Sequence, residues 1–148
     1  MIPVSPPAIP FKVVDASVAV KWLIPEEQHE PAWELLRSYV WGTAQLIAPA
    51  TLKEEVASAI SRRFRRHQLT AEQAKRALIQ FQSYRPELIE GANLVSEALE
   101  LSLGHHLSLW DCLYLALAIR YRCDLVTADR QFYRAARQRY PFVALLGS

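Results

Sequence analysis

The stretch from Ser108 to Arg122 constrains this chain more than any other. A helix there would carry Leu109, Trp110, Cys112, Leu113, Tyr114, Leu115, Ala116, Leu117, Ala118 and Ile119, with only Asp111 interrupting the apolar series. A helix apolar nearly all round is buried on most sides. An ionised group set in it needs a partner or a metal ion. The uninterrupted apolar run, 112–119, is far short of the roughly 18 residues a membrane span requires. The segment is therefore a core helix, and no membrane role is expected.

Around it, short strands alternate with helices. Phe11–Val14 is an apolar, β-branched run ending at Asp15, and reads as a buried strand. Helix is expected over 17–23 up to Pro25, then from Pro31 through Trp33, Leu36, Tyr39 and Val40 to Gly42. A strand at 46–48 leads through Pro49 to a helix over 51–67. Thr70-x-x-Gln73 is a capping box opening a helix over 70–84. A minor strand at 88–89, a helix over 93–103 with Gly104 as its stop, the core helix over 108–122, a strand at 125–127, a basic helix over 130–139 and a strand at 142–145 complete the chain. That alternation is the signature of an α/β fold with a mainly parallel sheet.

At 148 residues the chain can bury one sizeable core. The expected organisation is a flexible proline-rich leader over 1–10 and a single domain over 11–148. The leader lacks the basic and apolar regions of a secretion signal. Cys112 and Cys123 fall on one helix, about 16 Å apart and beyond disulfide reach. No Cys-x-x-Cys or Cys/His ligand spacing points to zinc, so a cytoplasmic location is the default. The net charge of +2 conceals an uneven distribution, with arginines at Arg62, Arg63, Arg65 and Arg66 and again at Arg130 and Arg134. Guanidinium groups match phosphate geometry, although arginines on exposed helix faces are also ordinary solvated charge.

Aspartate is rare, and three of the aspartates adjoin apolar segments. Asp15 and Asp129 follow strands at their carboxyl ends, the edge where parallel α/β sheets bind ligands. Each also has a structural reading as a helix N-cap, with Ser17 an alternative cap beside Asp15. Asp111 sits at capping-box spacing from Ser108, and an aspartate in a first helical turn can still face a metal at the sheet edge. Thr51-x-x-Glu54 has the same spacing, which gives Glu54 a structural task. Leu52, Val56, Ala59 and Ile60 form that helix's apolar stripe; Glu54 points away from it, and Glu55 lies on its flank. Glu55 is thus better placed to reach inward. Asp15, Glu55, Asp111 and Asp129 are hard oxygen donors of the kind Mg²⁺ and Mn²⁺ prefer. Spacing alone does not show that they converge.

Four segments, in order, carry a resemblance. Val13-Val14-Asp15-Ala16-Ser17-Val18-Ala19-Val20-Lys21-Trp22-Leu23 with Pro25-Glu26-Glu27, then Glu55-Val56-Ala57-Ser58-Ala59-Ile60, then Leu107-Ser108-Leu109-Trp110-Asp111-Cys112-Leu113, then Leu125-Val126-Thr127-Ala128-Asp129-Arg130-Gln131-Phe132 are similar to the motifs of PIN domains of the VapC toxin type. The resemblance implies a Rossmann-like three-layer α/β/α fold, with Asp15, Glu55, Asp111 and Asp129 at the family's acidic positions. Ser17 and Thr127 would be hydroxyl neighbours holding carboxylates or water at the metal. It also implies a Mg²⁺- or Mn²⁺-dependent endoribonuclease leaving a 5′-phosphate and a 3′-hydroxyl. RNA would be the substrate, the chain a homodimer, and its partner a VapB-type antitoxin. Cys112 departs from the small residue common after the third motif's aspartate.

Other readings fit less well. A haloacid-dehalogenase-like phosphatase wants a second acid two residues beyond Asp15, where Ser17 stands. A response-regulator receiver wants a late lysine, and none follows Lys75. A catalytically silent PIN fold that binds RNA through its arginines, or a purely structural α/β protein, remains the alternative.

Overall fold

The computed structural model describes residues 8–148. The strands are β1 Phe11–Val14, β2 Gln45–Pro49, β3 Glu87–Ile89, β4 Asp124–Thr127 and β5 Val143–Leu145. They form one five-stranded sheet in the order β3-β2-β1-β4-β5, and every pairing is parallel. The helices are α1 Ala16–Ala19, α2 His29–Val40, α3 Leu52–Arg65, α4 Ala71–Tyr84, α5 Ala92–His105, α6 Leu109–Tyr121 and α7 Arg130–Ala136, with a 3₁₀ turn over Val20–Trp22 after α1. Parallel neighbours need crossovers, and these are right-handed almost without exception. The chain moves from β1 through β2 to β3 in one direction, then returns to β4 and β5 in the other. Right-handed connections therefore lay α1–α4 on one face and α5–α7 on the opposite face, giving a three-layer α/β/α sandwich.

The strand order also fixes where a site can lie. The connection after β1 departs toward β2, while the connection after β4 departs toward β5. A crevice opens between them at the carboxyl ends of these two adjacent strands. Val13 stands opposite Leu125 and Val14 opposite Val126, which brings Asp15 level with the exit of β4.

Strands covered on both faces are continuous apolar runs. Val13, Val14, Leu46, Ile47 and Leu125 accordingly show no exposure. The middle of α6 is buried from Cys112 to Ala118, and it packs on β1, β2 and β4 with α5 against it. Full burial of Leu115 and Leu117 contributes roughly 2 kcal/mol each. The two ends of α6 differ: Trp110 is 55% and Ile119 42% exposed. Among the described residues no helix is long and apolar enough to cross a membrane.

Residues 1–7 of the expected leader lie outside the described residues; Ile9 is exposed, and the Pro10 carbonyl accepts from the Gln45 amide at 2.9 Å. The Thr70–Gln73 capping box forms with both of its hydrogen bonds, at 3.1 and 2.9 Å. The one expected at Thr51 does not. Thr51 already has helical backbone angles, φ −70° and ψ −9°, whereas a capping hydroxyl acts from the extended region. Its hydroxyl turns to Glu55 instead, at 3.4 Å, and Glu54 is free of that task. Gly104 does not stop α5 either. The helix continues to His105, and His106 takes the left-handed position at φ 55° with its amide on the Ser102 carbonyl. The Ser102 hydroxyl donates to the Leu107 carbonyl at 2.6 Å and fastens the turn that follows.

Candidate active site

Asp15 leaves β1 at the crevice and is only 7% exposed. It is the N-cap of α1: its Oδ1 accepts from the Val18 amide at 3.3 Å and from the Ser17 hydroxyl. The Ser17 hydroxyl also accepts from the Ala128 amide at 2.9 Å and lies 3.4 Å from the Thr127 hydroxyl. One side chain thus ties the carboxyl end of β1 to that of β4. Thr127, fully buried, accepts from the Asp129 amide at 3.1 Å. Asp129 caps α7, its Oδ1 accepting from Gln131 and Phe132 at 3.0 and 3.1 Å. Both capping readings hold, and among the described residues the second carboxylate oxygen of Asp129 takes no protein hydrogen bond.

Two further acids face this edge from the helical layers. Asp111 stands in the first turn of α6, where the Ser108 hydroxyl accepts from its amide at 3.1 Å. Glu55 projects from the flank of α3, beside the buried stripe Leu52, Val56, Ala59 and Ile60. Its Oε1 accepts from the Tyr114 hydroxyl at 3.1 Å and from Thr51 at 3.4 Å. Tyr114 lies three residues after Asp111, on the same side of α6, so the two layers meet around the edge of the sheet.

The electrostatics are those of crowded acids. Burial pushes the Asp15 carboxyl up to about 6 against the pull of its Ser17, Thr127 and Val18 hydrogen bonds, and Asp111 adds to the rise. Burial pushes Glu55 up to about 7, opposed by the Tyr114 bond and reinforced by Asp15 and Asp111. Asp111 is raised by burial and by Asp129, with Ser108 opposing. Burial, then the Glu55 charge, pushes the Tyr114 phenol far up, so it stays a donor. Asp15, Glu55 and Asp111 therefore each feel at least one other acid. Among the described residues no ion pair involves any of them.

The donor set suits a hard divalent cation, being all oxygen, anionic and without a basic partner. Among the described residues, no three acids stand close enough to ligate a single ion directly as placed. Mg²⁺ does not need that arrangement, since it keeps several waters and takes one or two carboxylates. The residues fit such an ion, with water completing its shell. The neighbouring thiol offers no rival chemistry: Cys112 is buried and pushed up to about 11.

A cleft of about 660 Å³ is lined by Ser17, Lys21, Glu55, Arg62, Arg63 and Trp110, with Asp15, Asp111 and Asp129 outside its lining. Lys21 donates to Glu26 at 3.2 Å and to the Glu27 carbonyl at 2.6 Å. Arg63 donates to Glu26 at 2.7 Å. Although burial works against it, these two cations hold the Glu26 carboxyl below its usual range. Of the arginines singled out in the sequence, Arg62 and Arg63 line the cleft; Arg65, Arg66, Arg130 and Arg134 do not. Lys21, Glu26, Trp110 and Tyr114 were not anticipated. Only Tyr114 carried a usable signal, as a polar group three residues from Asp111 in an otherwise apolar helix.

A family model of the PIN domain matches residues 12–138. The chain belongs to the PIN domain family. This PIN domain is also similar in fold to two solved structures. One is VapC20 of Mycobacterium tuberculosis, a sarcin-ricin loop cleaving toxin, with 18% identity, a TM-score of 0.62, and coverage of 84% of this chain and 94% of that one. The other is VapBC2 of Rickettsia felis bound to a DNA fragment from its promoter, with 17% identity, a TM-score of 0.63, and coverage of 91% and 96%. No curated protein matches the chain at a significant level.

Proposed function

We propose that this PIN domain, extending from residue 11 to the end of the chain, is an endoribonuclease and the toxin of a VapBC-type pair. In this reading it works with Mg²⁺ or Mn²⁺ at Asp15, Glu55, Asp111 and Asp129. The observation that carries the proposal is that Asp15, Glu55 and Asp111, from three different elements, are each raised in pKa by burial and by the charge of another acid, with no basic partner among the described residues. Such an arrangement disfavours folding by itself and is relieved by a cation. A bound divalent ion supplies charge neutralisation at the scissile phosphate and activates a water. Ser17 and the Val18 amide fix Asp15, and Tyr114 and Thr51 occupy Oε1 of Glu55. Oε2 of Glu55 is then the oxygen left to accept a hydrogen bond or proton from the attacking water. The water oxygen bonds to phosphorus, and the 3′ oxygen departs and takes up a proton, leaving a 5′-phosphate. Arg62, which lines the same cleft, meets the RNA backbone.

The family, together with the VapC20 toxin and the VapBC2 structure, supports the toxin reading and a cognate VapB-type antitoxin; a homodimer and a cytoplasmic location are part of the same proposal. The test is incubation of the purified protein with structured RNA in Mg²⁺ or Mn²⁺. Cleavage is expected, with loss on adding EDTA and in a folded Asp111→Asn variant. Full activity of Asp111→Asn, or RNA bound but never cut under any metal, would leave the catalytically silent PIN fold as the better account.

A further inference from the structure

The cleft has an aromatic wall that the acid chemistry does not use. Trp110 lines it and is 55% exposed, although the residues that follow Asp111 on the same helix are buried. A large indole left in water, beside the acids, gains nothing for the core. It shares the cleft with Ser17, Glu55 and Arg62. Glu26 already pairs with both Lys21 and Arg63, whereas Arg62 makes no ion pair among the described residues. The cleft therefore brings together a site carboxylate, Glu55, one uncommitted cation, Arg62, and a flat π-face, Trp110.

We propose that Trp110 is a stacking platform for a base of single-stranded RNA adjoining the scissile phosphate. This rests on the ribonuclease reading above and adds to it the conformation of the substrate. Proteins hold unpaired bases by stacking them on aromatic side chains, while cations track the backbone. Trp110 lines the same cleft as Glu55 and Ser17, so a base on the indole belongs to a nucleotide close to the phosphate that the acids address. Stacking tolerates any base, so it selects for an unpaired nucleotide, such as one in a loop, before it selects for sequence. Paired bases in an A-form duplex are stacked on each other and unavailable to the indole.

The test has a binding arm and a cleavage arm. In an Asp15→Asn background with Mg²⁺, a short single-stranded RNA oligomer is titrated while tryptophan fluorescence is followed. Quenching is expected, largely lost with Trp110→Phe and retained with Trp41→Phe, because Trp41 is 76% exposed but lies outside the cleft. In the cleavage arm, Trp110→Ala should raise KM by between about fivefold and about a hundredfold with a much smaller change in kcat. Trp110→Phe should recover most of the loss. A substrate with an abasic nucleotide next to the cut should show a similar KM penalty that disappears in Trp110→Ala. Absent quenching, or quenching that survives Trp110→Phe, would overturn the stacking assignment. So would a Trp110→Ala variant that changes only the oligomeric state. Quenching at Trp110 without any cleavage by the wild type would sink the nuclease reading and leave the platform. Cleavage with KM indifferent to Trp110 would do the reverse.

Discussion

Replacing Asp15 by asparagine should make the metal-free protein more stable at pH 8, although it removes a site residue. Asp15 is 7% exposed and its carboxyl is raised from 3.8 to about 6. For an acid shifted upward, the unfolded chain binds fewer protons than the native one between those two values. Stability therefore falls as pH rises through that window, and the full penalty stands above it. At 1.36 kcal/mol per pH unit, it amounts to about 3 kcal/mol at pH 8 and about half that at pH 5. Asparagine keeps an oxygen to accept from Ser17 and Val18, but the loss of charge assistance costs about 1 kcal/mol. A net gain of about 2 kcal/mol remains at pH 8 and well under 1 kcal/mol at pH 5. For a domain of this size, the gain at pH 8 is a rise in Tm of roughly 4–8 °C. Melting curves by circular dichroism in EDTA at the two pH values measure it. Mn²⁺ added at pH 8 should raise the Tm of the wild type and leave that of Asp15→Asn nearly unmoved. An Asp15→Asn protein that melts below the wild type at pH 8, or a gap that is the same at both pH values, would refute the burial argument.

Two further outcomes follow from the same geometry. Tyr114→Phe removes the donor that holds Glu55 down, so the acidic limb of the pH–rate profile should move to higher pH while the fold loses about 1 kcal/mol; an unmoved limb would show that Glu55 does not titrate in the reaction. Arg62→Ala should weaken RNA binding and flatten its dependence on salt, by about one phosphate contact, whereas Arg65→Ala and Arg66→Ala, outside the cleft, should leave the slope alone. Binding measured across a salt series separates these, and equal effects at all three positions would mean a diffuse basic surface rather than a track.

What the sequence determined was local. The strand at Phe11–Val14 and the buried centre of α6 follow from hydrophobic periodicity, and so does the stripe of Leu52, Val56, Ala59 and Ile60 that singled out Glu55 over Glu54. The caps at Thr70, Ser108 and Asp129 follow from short-range hydrogen-bonding chemistry. The same rules failed at Thr51, whose backbone is already helical, and at Gly104, where the helix runs on to His105 and His106 takes the left-handed position. Tertiary structure alone decided that β4 lies beside β1, so that Ser17 reaches Ala128 and Asp15 comes to share an edge with Asp129. It likewise decided that Tyr114 reaches Glu55 from another layer, that Glu26 joins Lys21 to Arg63, and that Trp110 stays in the cleft. Contacts between residues dozens to more than a hundred positions apart leave no periodic trace in a single chain. They depend on strand order and crossover hand, which emerge only when the whole core packs.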